Sequence, residues 1–283
     1  NVAVGNDALT VNTGSSNTGI GFDALKANTT GASNVAVGST ALDANTTGGF
    51  NVAIGDRALT TNTTAGGNVG IGADSLFANT TGASNTAIGA DSLKANTTAA
   101  NNTALGKAAL ASNTTGTGST AVGSLSLDAV TTGDYNTGVG FTSGSKITTG
   151  TRNVALGAFA NQEGTTGDDN TYVGYAAGAA TTTASDNTAV GKSALAANTT
   201  GTRNTAVGMN AGVAITTGSY NVLMGVFTGD AITTGEQNVA IGDAALTTCT
   251  TGTDNVAIGD QSLKANTTAS NNTAVGSSAL VAN

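Results

Sequence analysis

The sequence predicts an all-β fold, a parallel β-solenoid or β-roll of about seventeen coils with 17 residues in each coil. Three observations predict it. One motif, beginning Asn-Val/Thr-Ala, recurs along the whole of the 283-residue chain. Glycine is the fifth residue of every copy, and the second residue is always Val or Thr, both of which favour strands. A repeat this short cannot bury its apolar side alone, so the copies must stack.

The copies account for the whole chain. The first copy has 16 residues, the next fifteen have 17, and the last has 12. We number the residues of each copy from position 1 to position 17. Since no change of composition marks a linker, we expect one repeat array over residues 1–283 without a second domain. The copies begin at Asn1, Asn17, Asn34, Asn51, Asn68, Asn85, Asn102, Ser119, Asn136, Asn153, Asn170, Asn187, Asn204, Asn221, Asn238, Asn255 and Asn272.

Positions 1–5 predict a short strand that ends in a turn. Position 4 is apolar in every copy, and we expect it to face the core. Position 3 is Ala or Gly except at Tyr172 and Leu223, which predicts a small-residue face that a neighbouring chain could approach closely. The fixed glycine, as in Gly38, Gly55 and Gly89, predicts a turn with positive φ or a close approach of the backbone.

Positions 8–12, typically Ala-Leu-Lys-Ala-Asn, predict a second strand with the side chains of positions 9 and 11 on one face. A helix is disfavoured because apolar-periodic runs end after about six residues. The Thr-Thr pair at positions 13 and 14 then predicts a turn. In three copies position 9 is Gly and position 12 is Ile, and we expect each pair to fill one shared interior volume: Gly144 with Ile147, Gly212 with Ile215, and Gly229 with Ile232.

Asparagine at position 1 predicts a ladder along the stack. Identical amides one strand apart can form hydrogen bonds with each other, so Asn34, Asn51 and Asn85 are expected to be rungs of one ladder. The Thr pairs are expected to form similar files. Asn-Thr-Thr is also a glycosylation sequon, but a role in the turn fits its regular recurrence better.

Composition excludes several classes of function. The net charge is −8 with only 9 basic residues, which argues against a nucleic-acid partner. No apolar run is long enough to predict a membrane span. The chain has no His, so neither a Ser-His-Asp nor a Cys-His arrangement can be built. We therefore expect no catalytic residues, no cofactor and no enzymatic activity.

The remaining reactive side chains predict no metal site. Cys249 stands at position 12, where other copies have Asn, Val or Ile, and a filler role is expected. The carboxylate pairs Asp168 with Asp169 and Asp74 with Asp91 could hold a cation. They lack the pattern of calcium-binding β-rolls and the spacing of an EF-hand loop, so solvated surface is the better interpretation.

Aromatic side chains next to the turns are the candidate binding residues. They follow the position 5 Gly or precede the position 1 Asn, where side chains can project and stack on sugars or contact a receptor. The alternative is that they pack over the coil edge or against another chain. The candidates are Phe22, Phe50, Tyr135, Phe141, Tyr175 and Tyr220.

Two stretches carry a resemblance to known families. "NVAVGSTAL" at 34–42 and "NVAIGDRAL" at 51–59 resemble the head repeats of trimeric autotransporter adhesins, and the longer repeat is similar to those of phage tail fibres. The resemblance covers the whole chain, although the adhesin repeat is shorter. It implies left-handed parallel β-rolls, three chains side by side, that form a stiff shaft or an adhesive head.

We therefore expect a non-enzymatic structural fibre segment that is extracellular, on a cell surface or a virion. The expected partners are further copies of the chain, as a homotrimer or end to end, and a host-surface glycan or protein receptor. One alternative is a self-assembling filament or surface-layer subunit, because the array starts and stops without a polar cap. Another is an ice-binding solenoid, although adjacent threonines in a strand would point to opposite faces.

Overall fold

The computed structural model describes residues 1–282, and its regular structure consists of three-residue strands at positions 2–4 of each copy. The other positions form turns and irregular segments, and the described residues contain no helix. Strands of successive copies pair in parallel without a shift of register, as where Val35 lies opposite Val52 and Val37 opposite Ile54. By its internal contacts the chain divides into two compact units, Asn1–Gly138 and Val139–Asn283.

The first unit is a parallel β-solenoid in which each coil adds one strand to the same sheet. Successive strands are 17 residues apart except at the shortened first coil. The predicted fold class is confirmed here. The strands are β1 (Val2–Val4), β2 (Thr18–Ile20), β3 (Val35–Val37), β4 (Val52–Ile54), β5 (Val69–Ile71), β6 (Thr86–Ile88), β7 (Thr103–Leu105) and β8 (Thr120–Val122).

The second unit has the same construction, with parallel in-register pairing from each strand to the next. The fold class is confirmed here too, while a single array over 1–283 stays a prediction. Strand β9 (Thr137–Val139) lies at the border of the two units. The others are β10 (Val154–Leu156), β11 (Thr171–Val173), β12 (Thr188–Val190), β13 (Thr205–Val207), β14 (Val222–Met224), β15 (Val239–Ile241), β16 (Val256–Ile258) and β17 (Thr273–Val275).

The predicted second strand at positions 8–12 is wrong. Positions 7 and 9 have left-handed backbone conformations, with φ of 60° at Asp91 and 48° at Leu93, which a strand cannot contain. The segment is a run of turns. Its N–H groups still find partners in the next coil, because Leu93 N–H donates to the Ala109 carbonyl at 3.0 Å and Ala95 N–H to the Ala111 carbonyl at 3.0 Å.

The expectation that position 4 faces the core is also wrong. Position 3 is the buried one: Ala36 and Ala53 have no exposed surface, whereas Ile54 at position 4 is 39% exposed. The reason is the width of the coil. A Cβ added at Gly19, at position 3, would lie 3.2 Å from Cγ of Leu9, at position 9 of the preceding coil. The buried Leu leaves room for only a small residue on the inner side of the strand.

Two coils carry a large residue at position 3, and both have Gly at position 9. A Cβ added at Gly178 would lie 2.4 Å from Cε1 of Tyr172, and one added at Gly229 would lie 2.9 Å from Cδ2 of Leu223. Tyr172 and Leu223 are fully buried. Position 3 is therefore interior packing, and the prediction that it forms a face for a neighbouring chain is wrong.

The shared-volume prediction is confirmed where its contacts are described. A Cβ added at Gly212 would lie 3.0 Å from Cδ1 of Ile215, and one added at Gly229 would lie 2.8 Å from Cδ1 of Ile232. Both Ile side chains are fully buried. The Ile at position 12 thus occupies space that the Leu of position 9 fills in other coils.

Glycine at position 5 allows successive coils to approach closely. At Gly38, Gly55 and Gly89 φ is +139°, +136° and +131°, a region that side chains rarely adopt. A Cβ at Gly55 would also lie 2.6 Å from the carbonyl carbon of Gly72 in the next coil. Any other residue here would have to separate the coils.

Candidate assembly face, amide ladders and aromatic cluster

The asparagines of position 1 form a buried ladder that uses the backbone as well as the amides. Asn34 Oδ1 accepts hydrogen bonds from the Asn51 backbone N–H at 2.9 Å and from Asn51 Nδ2 at 3.2 Å. Asn51 Nδ2 also donates to the Ala65 carbonyl of its own coil at 2.9 Å. The Asn85 backbone N–H is bound in the same way, by Asn68 Oδ1 at 2.9 Å. Each side chain thus joins two coils and closes its own.

A second amide ladder lies at position 12, where the sequence analysis expected the end of a second strand and gave the Asn-Thr-Thr stretch a role in the turn. Asn62 Nδ2 donates to Asn45 Oδ1 at 2.9 Å and to the Ala65 carbonyl at 3.0 Å. These side chains are fully buried, so the sequon asparagines are inaccessible in the folded chain. Recurrence of Asn at this position in consecutive copies was the available signal. The ladder consists of Asn12, Asn28, Asn45, Asn62, Asn79, Asn96 and Asn113.

The two threonines of each pair have different surroundings. The hydroxyl at position 13 donates to the backbone carbonyl of position 13 in the next coil, as from Thr46 to Thr63 at 3.1 Å and from Thr63 to Thr80 at 3.2 Å. Position 14 is exposed, as at Thr47. Only one threonine per coil is therefore presented to solvent by this pair.

The side chains of positions 2 and 4 form the outer face of the sheet in each unit. Position 2 is half-buried in most coils and position 4 is the more exposed of the two. With strands about 4.8 Å apart and about 3.3 Å per residue, eight strands of three residues cover about 400 Å². Exposed large apolar side chains on this face are Val2, Val4, Ile20, Ile54 and Leu105 in the first unit, and Val139, Val190, Met224, Ile241, Ile258 and Val275 in the second.

The carboxylate pairs are engaged in ion pairs and hydrogen bonds. Lys94 Nζ lies 3.0 Å from Asp74 and 2.7 Å from Asp91. The expectation of solvated surface is wrong for Asp74, which is buried. Arg57 also pairs with Asp74, at 2.8 Å. Within residues 1–282, no group of three or more Cys, Asp or Glu is placed to hold a metal ion.

The second carboxylate pair is divided between two roles. Asp168 accepts hydrogen bonds from the Thr151 backbone N–H at 2.7 Å and from its hydroxyl at 3.0 Å. Asp169 pairs with Arg152 at 2.6 Å, and the hydrogen bond from that guanidinium lowers the pKa of Asp169. Both contacts join one coil to the next on the solvent side.

The structure brings two of the six aromatic candidates together. Phe141 and Tyr175 each contact Phe159, with ring centroids 5.7 and 5.6 Å apart and interplanar angles of 87° and 81°. We call these three side chains the aromatic cluster. Phe141 and Tyr175 are half exposed, and Phe159 is half-buried. The sequence analysis missed Phe159 because it stands at position 7, one residue after the position of the other two.

The other aromatic candidates lie apart from each other. Phe50 is the most exposed, at 74%, and Phe22 is half exposed. The Tyr135 ring covers Gly118, whose added Cβ would lie 2.7 Å from Cδ1 of the ring. The Tyr220 ring lies 5.4 Å from the Arg203 guanidinium. These contacts support local packing over the coil edge for the two tyrosines.

Cys249 is buried at position 12, as a filler would be. Its Sγ lies 3.8 Å from the Gly252 carbonyl oxygen, and burial raises the pKa of the thiol. A raised pKa keeps the sulfur in the thiol form, which is the less nucleophilic one.

Comparison with protein-family models, curated proteins and solved structures finds no match to this chain. The resemblance to adhesin and tail-fibre repeats therefore rests on the residues of the repeat. Across residues 1–282, no helix has the length and apolar character needed to cross a membrane. No pocket is found among the same residues.

Proposed function

We propose that the chain is a non-enzymatic, extracellular structural fibre segment, a shaft or adhesive head on a cell surface or virion, that assembles side by side with copies of itself. The observation that carries this proposal is the outer face. In both units positions 3, 8 and 9 supply buried apolar side chains, whereas position 4 carries exposed Val, Ile, Leu or Met in several strands of each unit. Exposed apolar patches larger than a few hundred Å² mark interaction surfaces.

A second copy is the partner that fits this face best. The face repeats at the strand spacing, and another copy of this solenoid presents ridges and grooves with the same spacing. A homotrimer, in which each chain turns its outer face toward a common axis, would cover it. The resemblance to trimeric adhesins and tail fibres supports the same arrangement.

The non-enzymatic part of the proposal rests on how the polar side chains are used. The buried amides form ladders, and exposed charges such as Lys94 and Arg152 pair with carboxylates of their own or neighbouring coils. These interactions stabilise the stacking of coils. A host-surface glycan or protein receptor, contacted by exposed aromatic side chains, remains part of the proposal for an adhesive head.

The mass of the native protein tests the proposal. We expect three chains by native mass spectrometry, and a single chain for the double variant Ile54→Lys/Ile88→Lys, which charges the outer face of the first unit. The matched control is Thr47→Lys/Thr81→Lys at exposed position 14, which should keep the mass of three chains. Circular dichroism should show both variants folded. A single chain for the unaltered protein would contradict the proposal.

A second candidate, ice binding, is favoured by one observation on the same face. Position 2 is Thr in nine of the seventeen strands, so hydroxyl and methyl groups recur there at regular spacing. Trimer formation would cover this face, and the two functions therefore exclude each other. Thermal hysteresis in a monomeric preparation would favour ice binding, and a trimer without hysteresis would favour the fibre.

Electron microscopy would show long polymers if the chain is a filament or surface-layer subunit.

A further inference from the structure

Ten asparagines of the chain begin an Asn-x-Ser/Thr sequon, and the fold divides them into two groups. Eight of them stand at position 12 and begin an Asn-Thr-Thr stretch. The other two, Asn101 and Asn271, stand at position 17 and begin Asn-Asn-Thr stretches that run into the next copy. The position 12 group consists of Asn28, Asn45, Asn62, Asn79, Asn96, Asn113, Asn198 and Asn266.

The position 12 group is closed to modification in the folded chain. Each of its members is at most 1% exposed. The atom that a sugar would join, Nδ2, already donates hydrogen bonds inside the solenoid. In Asn96 it donates to Asn79 Oδ1 at 2.8 Å and to the Ala99 carbonyl at 3.1 Å, and in Asn198 it donates to the Gly201 carbonyl at 2.9 Å. A glycan on this atom would remove a ladder hydrogen bond and overpack the interior, so the glycan and the fold exclude each other.

The position 17 group is open to solvent. Asn101 and Asn271 are exposed, and so are the threonines that complete their sequons, Thr103 and Thr273. This is notable for Thr103, because position 2 is half-buried in most coils. The two sites also have the same backbone conformation, with φ of 62° at Asn101 and 63° at Asn271. Each unit therefore presents one complete sequon on its surface.

The neighbours of Asn101 leave space for a sugar. Position 17 is Ser84 in the preceding coil and Gly118 in the following one. Asparagine occurs at position 17 in two copies only, and in both cases the next copy has Thr and not Val at position 2. Because position 17 belongs to neither amide ladder, a glycan there leaves the hydrogen bonds of both ladders in place.

We propose that the folded chain has two N-glycosylation sites, Asn101 in the first unit and Asn271 in the second, and that burial protects the eight sequons of position 12. The sugar donor is an oligosaccharide linked to a polyprenyl diphosphate. Nδ2 forms a bond to C1 of the first sugar, and the bond from C1 to the diphosphate oxygen breaks. The polyprenyl diphosphate leaves with the bonding electrons, and the amide nitrogen releases one proton.

Treatment of the folded protein with a purified oligosaccharyltransferase and its lipid-linked oligosaccharide tests the proposal. The mass should rise by two glycans per chain, peptide mapping should place them at Asn101 and Asn271, and circular dichroism should stay unchanged. The matched control is Thr103→Val/Thr273→Val, which keeps both asparagines and introduces the residue that other copies have at position 2. This variant should gain no glycan.

An unfolded substrate separates burial from sequence preference. In Gly55→Val/Gly242→Val each new Cβ would lie 2.6 Å from the backbone of the next coil, so the coils cannot stack, and glycans should appear at position 12 as well. A glycan at position 12 of the folded protein, or the absence of one from Asn101 or Asn271, would overturn the inference. So would an unfolded variant that gained none at position 12. The side-by-side assembly is judged separately, by the native mass of untreated protein.

Discussion

The two units fill the same interior position with different chemistry. In residues 1–138, position 12 is Asn in seven successive coils, and these amides form one ladder that is buried from Asn28 onward. In residues 139–283 the described residues at position 12 are Ile147, Gly164, Thr181, Asn198, Ile215, Ile232, Cys249 and Asn266. The buried side chains around them form a hydrophobic cluster that includes Tyr172, Leu195 and Leu223.

The comparison separates what the coil requires from what it tolerates. Position 1 amides close their own coils in each unit, since Asn51 Nδ2 reaches the Ala65 carbonyl at 2.9 Å and Asn221 Nδ2 reaches the Gly235 carbonyl at 2.9 Å. In the coil of Ile232 this bond is kept although position 12 supplies no amide. The position 5 glycine is therefore the constant part, the position 1 amide is replaced only at Ser119, and position 12 is an adjustable filler.

The largest expected effect concerns the constant glycine. Gly55→Val and Gly242→Val should each prevent folding of the unit that contains them, because the Cβ would lie 2.6 Å from the backbone of the next coil and φ is +136° and +132°. Strain and overpacking together cost on the order of 4 kcal/mol. Circular dichroism and limited proteolysis would show the loss. If either variant kept the unfolding midpoint of the unaltered protein, glycine at position 5 would not be required in both units.

Exchanging the residues at positions 9 and 12 tests whether a coil of the first unit can be packed like the Gly and Ile coils of the second unit. Leu93→Gly empties a fully buried site and should reduce the free energy of unfolding by about 3 kcal/mol. Adding Asn96→Ile should restore about half of it, because Ile refills the space while the ladder loses the bonds from Asn96 Nδ2 to Asn79 Oδ1 and from Asn113 Nδ2 to Asn96 Oδ1. Urea titrations of the three proteins measure this. A double variant no more stable than the single one would contradict a shared volume.

These fillers also show what the sequence could not reveal. The period, the strand at positions 2–4 and the turn at position 5 follow from β-branched residues and glycine. Strand alternation separates positions 2 and 4 from position 3, but it does not say which side is inside. The inner side is set by the Leu at position 9. Its backbone is left-handed, and a leucine in a sequence gives no indication of that conformation. The only hint was its replacement by glycine at Gly144, Gly178, Gly212 and Gly229, where φ is 57–60°.

The candidate surfaces were predictable to a similar degree. Exposed aromatic residues next to the turns could be named from the pattern, but the contact of Phe159 with Phe141 and Tyr175 depends on a one-residue offset between coils. The burial of the position 12 amides was hidden for another reason. A stretch of Asn, Thr and Gly is typical of an exposed turn. The Asn at position 12 becomes buried only when the coils stack.

Removing a position 1 amide should affect the second unit more than the first. In the Asn51→Ala variant, the Ala65 carbonyl still accepts from Asn62 Nδ2 at 3.0 Å. In the Asn238→Ala variant, the Gly252 carbonyl loses the 2.9 Å bond from Asn238 and keeps only the Cys249 sulfur. With about 1–3 kcal/mol per unsatisfied buried group, we expect losses of about 2 and about 3 kcal/mol. Equal losses in urea unfolding would remove the distinction between the units.

The buried tyrosine of the second unit should make stability depend on high pH. Burial raises the pKa of Tyr172 to about 12, against 10.0 for an ordinary tyrosine. Above pH 10 the unfolded chain loses this proton first, so stability is full below pH 10 and falls as pH rises to about 12. The loss is about 2–3 kcal/mol. The variant Tyr172→Phe should be less stable at pH 8 but lack this share of the decline, and an unchanged decline would refute the assignment.

The smallest effect is expected where the first unit's ladder ends. Asn113 Oδ1 has no hydrogen-bond partner, because the next coil has Val130 at position 12. In Val130→Asn the new amide would donate to Asn113, yet its own oxygen would then be the unpaired one. The number of unpaired oxygens stays the same, so the free energy of unfolding should change by less than about 1 kcal/mol.

In the second unit Asn198 Oδ1 is likewise unpaired, with Ile215 following it. An unpaired oxygen therefore belongs to each interruption of a ladder and not to each rung, which is why seven amides in one run are tolerated. A gain of 2 kcal/mol or more from Val130→Asn in urea unfolding would show that the rungs themselves stabilise the unit.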